Sequence, residues 1–233
     1  MELNNAFTIE YIFSLDHSVT ERFQFIIDEK TLDAIHTDTE TYPDWTRLEN
    51  NKCPNCPLSE KSQFCPVAQS LAVITARFDK IISYTEIDLQ VKTAERTVIQ
   101  KTSAQSALSS MIGLAMATSG CPHTKFFKPM ANFHLPLSSD TETFYRAASM
   151  YLLAQYFIKR ENGNADLELS GLAEIYNNLR IINHHIIERI KRETSADSSV
   201  NALVHLDMFA LSMPMIIEDS LEEIKYLFTP YLD

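Results

Sequence analysis

Every cysteine in this chain stands directly before a proline. Cys53, Cys56 and Cys65 lie in NKCPNCPLSEKSQFCPVAQ, residues 51–69, and Cys121 lies in GCPHTKFFKP. Proline fixes its own φ, lacks an N–H and pushes the preceding residue out of helical conformation. The four cysteines are therefore expected at loop or cap positions, where side chains from separate segments can converge. The spacing is C-x2-C-x8-C, then 55 residues, then the fourth cysteine. A C-x-x-C pair is the tightest common way for one loop to give two thiolates to one metal. A Cys-Pro step leaves no buried, unpaired N–H beside the sulfur, and a ferredoxin-type cluster ligand is likewise followed by proline.

At 233 residues the chain is long enough for a sizeable core, and with 45% hydrophobic residues and four glycines it reads as an ordinary folded protein. The formal net charge of -11 disfavours nucleic acid and anionic lipid as partners. No apolar run approaches the roughly 20 residues that a membrane span needs. The opening MELNNAFTIEYIFSLD has neither a basic segment nor an unbroken apolar stretch, so a signal peptide is not expected and a cytoplasmic location is. In that compartment clustered cysteines are more often ligands or redox groups than structural disulfides.

Periodicity predicts an α+β fold. Phe7, Ile9, Tyr11, Phe13 and Leu15 alternate with mainly polar neighbours, and Phe23, Phe25 and Ile27 alternate again, so an antiparallel hairpin is expected over about 6–28, with LDHSVT as its connection. YTEIDLQVK is a candidate third strand. PVAQSLAVITARFDKII has helical spacing, and after residue 100 the chain reads as helical. SAQSALSSMIGLAMATSG stops at Gly120, and SSDTETFYRAASMYLLAQYFIKRENG has Ser/Asp caps at one end and Gly163 at the other. In the next segment Leu172, Ile175, Leu179, Ile182, Ile186 and Ile190 form one stripe. SSVNALVHLDMFALSM is expected to break near Pro214, with SLEEIKYLF as a last helix. The composition shift suggests a β-containing region at 1–102, carrying three cysteines, and a helical region at 103–233 carrying the fourth, either as two units or as one integrated domain.

Cys53, Cys56, Cys65 and Cys121 are the candidate metal or cofactor ligands. A zinc ribbon would need a second C-x-x-C, which is absent. Three local cysteines plus one remote Cys-Pro favour an iron–sulfur cluster slightly over zinc, although x8 matches no standard ferredoxin run. Unliganded buried thiols and thiol redox chemistry are the alternatives. CPNC alone has the thioredoxin-like spacing, but a polar segment precedes it and no helix follows at once. Lys52, Lys61, His123, Lys125 and Lys128 flank the cysteines and could lower their pKa values. His184, His185 and His205 are expected to be ordinary core or boundary residues, and Met208, Met213 and Met215 core filler. No H-E-x-x-H, E-x-x-H, P-loop or G-x-S-x-G occurs.

The four Cys-Pro pairs, the N-terminal hairpin and the helical second half together resemble an uncharacterised family of bacterial proteins of about this length. That resemblance implies a bacterial, cytoplasmic setting and brings no activity or catalytic residues. Two functions are expected. One is a non-enzymatic metalloprotein whose site organises the fold, senses metal or redox state, or presents a surface to a protein partner. The other is a cluster-dependent redox enzyme or electron carrier. A pocket beside the cysteines would favour the second, and Tyr84, Glu86, Arg77 and His123 are its candidate lining.

Overall fold

The computed structural model describes residues 5–15, 18–35, 42–59, 61–193 and 197–232. It is α+β, as the periodicity predicts. Strands β1 (Ala6–Leu15), β2 (Ser18–Asp28), β3 (Glu86–Lys92) and β4 (Thr97–Ser103) form one antiparallel sheet in the order β2-β1-β3-β4. Residues 16 and 17 of the expected hairpin connection lie outside the described residues. Tyr11 pairs with Phe23 on one side and with Val91 on the other, so the alternating apolar sets share one face. Ile9, Tyr11, Phe13, Ile27, Ile87, Leu89 and Val91 are buried there.

Strand β4, at the sheet edge, is not legible in the sequence, because neither of its faces is buried. Its residues are mostly exposed, Ile99 included, so burial imposes no alternation on TVIQKTS. Lys101 on this edge pairs with Glu86 of β3 at 2.6 Å. A charged edge resists pairing with another chain.

Helix α1 (Pro66–Arg77) follows the cysteine loop, with Cys65 as its N-cap and Pro66 in its first turn, where the missing N–H costs nothing. Phe78, just beyond it, meets the sheet through Phe13 and Phe23 at ring distances of 4.8 and 5.7 Å. Helix α2 (Ala104–Ala117) starts directly after β4, capped by Ser103, and is almost wholly buried. Gly120, at φ +83, turns the chain towards Cys121. A short helix α3 (Lys128–Asn132) leads to α4 (Asp140–Asn162), whose capping box joins Ser139 and Glu142 and whose end is the left-handed Gly163.

Helices α5 (Ser170–Glu193) and α6 (Asp197–Ile224) pack along each other. The expected break near Pro214 is present as a bend. The backbone is helical from Asp197 to Ile224, but the stretches Asp197–Met215 and Asp219–Tyr231 meet at 90°, as an interior proline that removes an N–H and crowds the preceding turn predicts. Ala210, Met213, Ile217 and Ile224 on both sides of the bend are buried in one cluster with α4 and the start of α5. The segment expected as a last helix lies beyond the bend, where α6 ends at Ile224 and passes into a 3-10 turn over Lys225–Tyr231. The main hydrophobic core runs without interruption from the sheet through α1 and α2 into α5 and α6, so residues before and after 102 share it.

Candidate thiol site

The loop that carries Cys53 and Cys56 is pinned at its base. The Leu48 N–H donates to Gln63 O at 3.0 Å, the Cys65 N–H donates to Thr46 O at 2.8 Å, and Arg47 bridges to Phe64. Trp45 and Leu48 anchor this base in the core. Within the C-x-x-C turn the Cys56 N–H donates to Cys53 O at 3.0 Å. All four cysteines are at loop or cap positions, as their prolines predict, and all are free thiols; Cys65 and Cys121 are buried, Cys53 and Cys56 half-buried.

Helix α5 clamps the loop from 130 or so residues away in sequence. The buried Arg189 donates from Nη1 to Trp45 O at 3.1 Å and Arg47 O at 2.7 Å, and from Nη2 to Leu48 O at 3.2 Å. Asn51 Nδ2 donates to His185 O at 3.1 Å, and Asn55 Nδ2 donates to Asn178 Oδ1 at 2.7 Å. Asn55 also reaches the fourth cysteine's segment: its carbonyl lies 2.7 Å from His123 Nε2. One asparagine inside C-P-N-C thus touches both α5 and the Cys121 turn.

The thiols lie within electrostatic reach of one another: ionising Cys53 is opposed by the charges of Cys65, Cys56 and Cys121, ionising Cys65 by that of Cys56, and ionising Cys121 by those of Cys65 and Cys56. Burial dominates, however. It pushes Cys53 up to about 12, with the Cys65 charge adding to the rise and Arg189 opposing it. Burial also raises Cys65, against the N–H groups of Ala68 and Val67 and the charge of Arg189. Those N–H groups of α1 favour the thiolate electrostatically, although neither closes a cap hydrogen bond. Cys121 is raised by burial and eased by the His123 and Thr124 N–H groups. The expected lowering by nearby lysines is not found. Lys52 donates to Leu58 O, Lys128 to Thr31 O and Asp33, and Lys125 lies over Phe126. The cation that acts on Cys53 and Cys65 is Arg189.

Among the described residues, no group of three or more His, Cys, Asp or Glu side chains is placed to hold a metal ion. A single tetrahedral ion with bonds of about 2.3 Å would draw four sulfurs to roughly 3.8 Å of one another. The described thiols do not form such a group. Arg189 has an orphan of its own. Its Nε is buried with no hydrogen-bond partner, and the side chain forms no salt bridge among the described residues.

The remaining candidates are dispersed. Tyr84 is exposed, Glu86 pairs with Lys101, and Arg77 lies over Phe23 and near Glu21. Of the four residues proposed to line a pocket by the cysteines, only His123 is at the site. His185 is a boundary residue whose Nδ1 meets Asn51 O at 3.3 Å, and His184 is exposed. Met213 is core, whereas Met208 and Met215 are exposed. Arg189 was not singled out by the sequence reading. Its signal is positional: it stands one turn after Ile186 and just before Ile190, inside the apolar stripe of α5.

Fold and site define an α+β protein in which a thiol-rich loop is locked onto a helical body by a buried arginine. The chain belongs to the family described as "Domain of unknown function (DUF6901)", whose model matches residues 9–229. No curated protein and no solved structure matches it.

Proposed function

We propose that this protein is a metalloprotein in which Cys53, Cys56, Cys65 and Cys121 hold an iron–sulfur cluster that ties the sheet-side loop to the helical body and answers to redox or metal state. The observation that carries this reading is Arg189. A buried guanidinium that has no carboxylate partner among the described residues, and has an orphan Nε, lies within electrostatic reach of Cys53 and Cys65. Buried charge without a counter-ion is costly. As neutral thiols the cysteines supply none. As ligands they are thiolates, and a cluster with four of them is an anion that Arg189 can balance.

The sequence pattern favours a cluster over zinc: three local cysteines and one remote Cys-Pro, with no second C-x-x-C. The N–H groups at the start of α1 and in the Cys121 turn add dipoles of the sign an anionic cluster needs. The test is purification without oxygen, followed by analysis for iron, acid-labile sulfide and zinc. Brown protein that contains iron and sulfide, and bleaches in air, is the expected result. Colourless protein with one zinc per chain would keep the four-cysteine site and refute the cluster. Protein with neither metal refutes both.

A further inference from the structure

A partly open cavity of about 360 Å³ lies between the end of β4, α2, the segment from Phe127 to Thr143, α5 and α6. That is within the range of small-molecule sites. Its walls are mainly apolar, with Leu114, Phe127, Leu137, Leu179, Leu206 and Phe209 among them. It is separate from the thiol site. Tyr176, Leu179 and Asn183 line it from one side of α5, whereas Asn178, His185 and Arg189 face the cysteine loop from a side about 130° around the helix axis.

The polar groups of the cavity have definite states. A hydrogen-bond chain enters it from the sheet: the Leu137 N–H donates to Ser110 Oγ at 3.2 Å, Ser110 Oγ lies 3.0 Å from Tyr11 OH, and Tyr11 OH lies 2.6 Å from His134 Nε2. Burial holds His134 down to about 3, so its ring is neutral and Nε2 accepts from the tyrosine. Burial likewise keeps the Tyr11 and Tyr176 phenols protonated. Asp140 and His205 also line the cavity, but both are exposed. The positive charge of the cavity is Arg146, half-buried and within electrostatic reach of Glu142. Its Nη2 donates to Met130 O at 2.8 Å and Phe133 O at 3.1 Å, and among the described residues its Nη1 and Nε have no hydrogen-bond partner. Glu142, one turn earlier on α4, is committed to the capping box at Ser139 and forms no salt bridge with it.

Asn183 is the second unanswered group. It is 1% exposed, it lines the cavity, and neither its Nδ2 nor its Oδ1 has a partner. An unsatisfied buried amide costs about 1–3 kcal/mol, which a leucine of similar size would avoid. Tyr176, whose ring feels the Arg146 charge, and Asn183 are seven residues apart on α5, or about 10 Å. We propose that the cavity binds a small amphipathic carboxylate about 10 Å long, with its carboxylate on Arg146, its apolar chain along Leu179 and Leu206, and a terminal hydroxyl or amide on Asn183.

This inference does not depend on the metal reading. Its test is calorimetric titration of the purified protein with 8-hydroxyoctanoate, octanoate and 1,8-octanediol. The hydroxy acid should bind about tenfold more tightly than either compound lacking one polar end, the value of one hydrogen bond at about 1.4 kcal/mol per decade. Asn183→Leu should bind octanoate as before, lose the preference for the hydroxy acid, and melt no lower than the parent. Arg146→Gln should lose the preference for acid over diol. Absence of binding by all three compounds at millimolar concentration overturns the proposal. So does an Asn183→Leu variant that keeps the hydroxy-acid preference.

Discussion

Arg189→Met isolates the contact that joins the two ends of the chain. The arginine makes three charge-assisted bonds, to Trp45 O, Arg47 O and Leu48 O, at 3.1, 2.7 and 3.2 Å. Bonds of this type contribute about 1.5–3 kcal/mol each, and three from one guanidinium fall at the lower end, about 4–5 kcal/mol together. Methionine keeps much of the apolar stem and removes a buried cation with an orphan Nε, a relief of about 1–3 kcal/mol. The net loss is about 3 kcal/mol, and for a chain of this size each kcal/mol moves the melting temperature by about 2–4 °C. Metal-free Arg189→Met should therefore melt about 9 °C lower, followed by circular dichroism at the helix band. Metal-loaded protein should lose more, because the substitution also removes the counter-charge of the anionic site. A metal-free melting temperature within 2 °C of the parent would refute the reasoning, and a larger loss in metal-free than in loaded protein would refute the counter-ion role.

Cys121→Ser should lower metal content and reduce the melting temperature of the loaded protein, since structural metal binding can supply roughly 10 kcal/mol to folding; full metal content and unchanged melting would make another group, His123 first, the fourth ligand. The metal-free protein should weaken in alkali. Cys53 is raised in the fold from its ordinary value near 9 to about 12, so the unfolded chain loses this proton first. The stability this thiol contributes is complete below pH 9 and is lost as pH rises towards 12. Urea midpoints at pH 8 to 10.5 should fall more steeply for the parent than for Cys53→Ser, and parallel curves would contradict the assignment. The affinity for metal should run the other way and grow with pH, because each thiol must lose its proton to bind.

Strands β1, β2 and β3 were legible because burial on one face writes a period of two into them. Strand β4 was not, since its largely exposed residues carry no such constraint. The caps of α4 were equally readable, being local chemistry: Ser139, Glu142 and Gly163 all act within a few residues. Pro214 was readable for the same reason: its ring and missing N–H act locally, and the 90° bend of the chain falls directly after it. At the site, Cys-Pro spacing located the thiols, while their neighbour Arg189 and the cavity beyond α5 depend on segments more than 100 residues apart.

Helix α5 is a party wall. The thiol loop hangs on one side of it through Arg189, His185 and Asn178, and the cavity is closed from another side by Tyr176, Leu179 and Asn183. A rigid helix cannot slide or rotate on one side only. Any occupant that shifts α5 on one side changes the free energy of occupancy on the other, and thermodynamic linkage makes that coupling equal in both directions. Loading the cysteines and filling the cavity are then two readings of one helix position, and the affinity measured for either should be stated together with the state of the other.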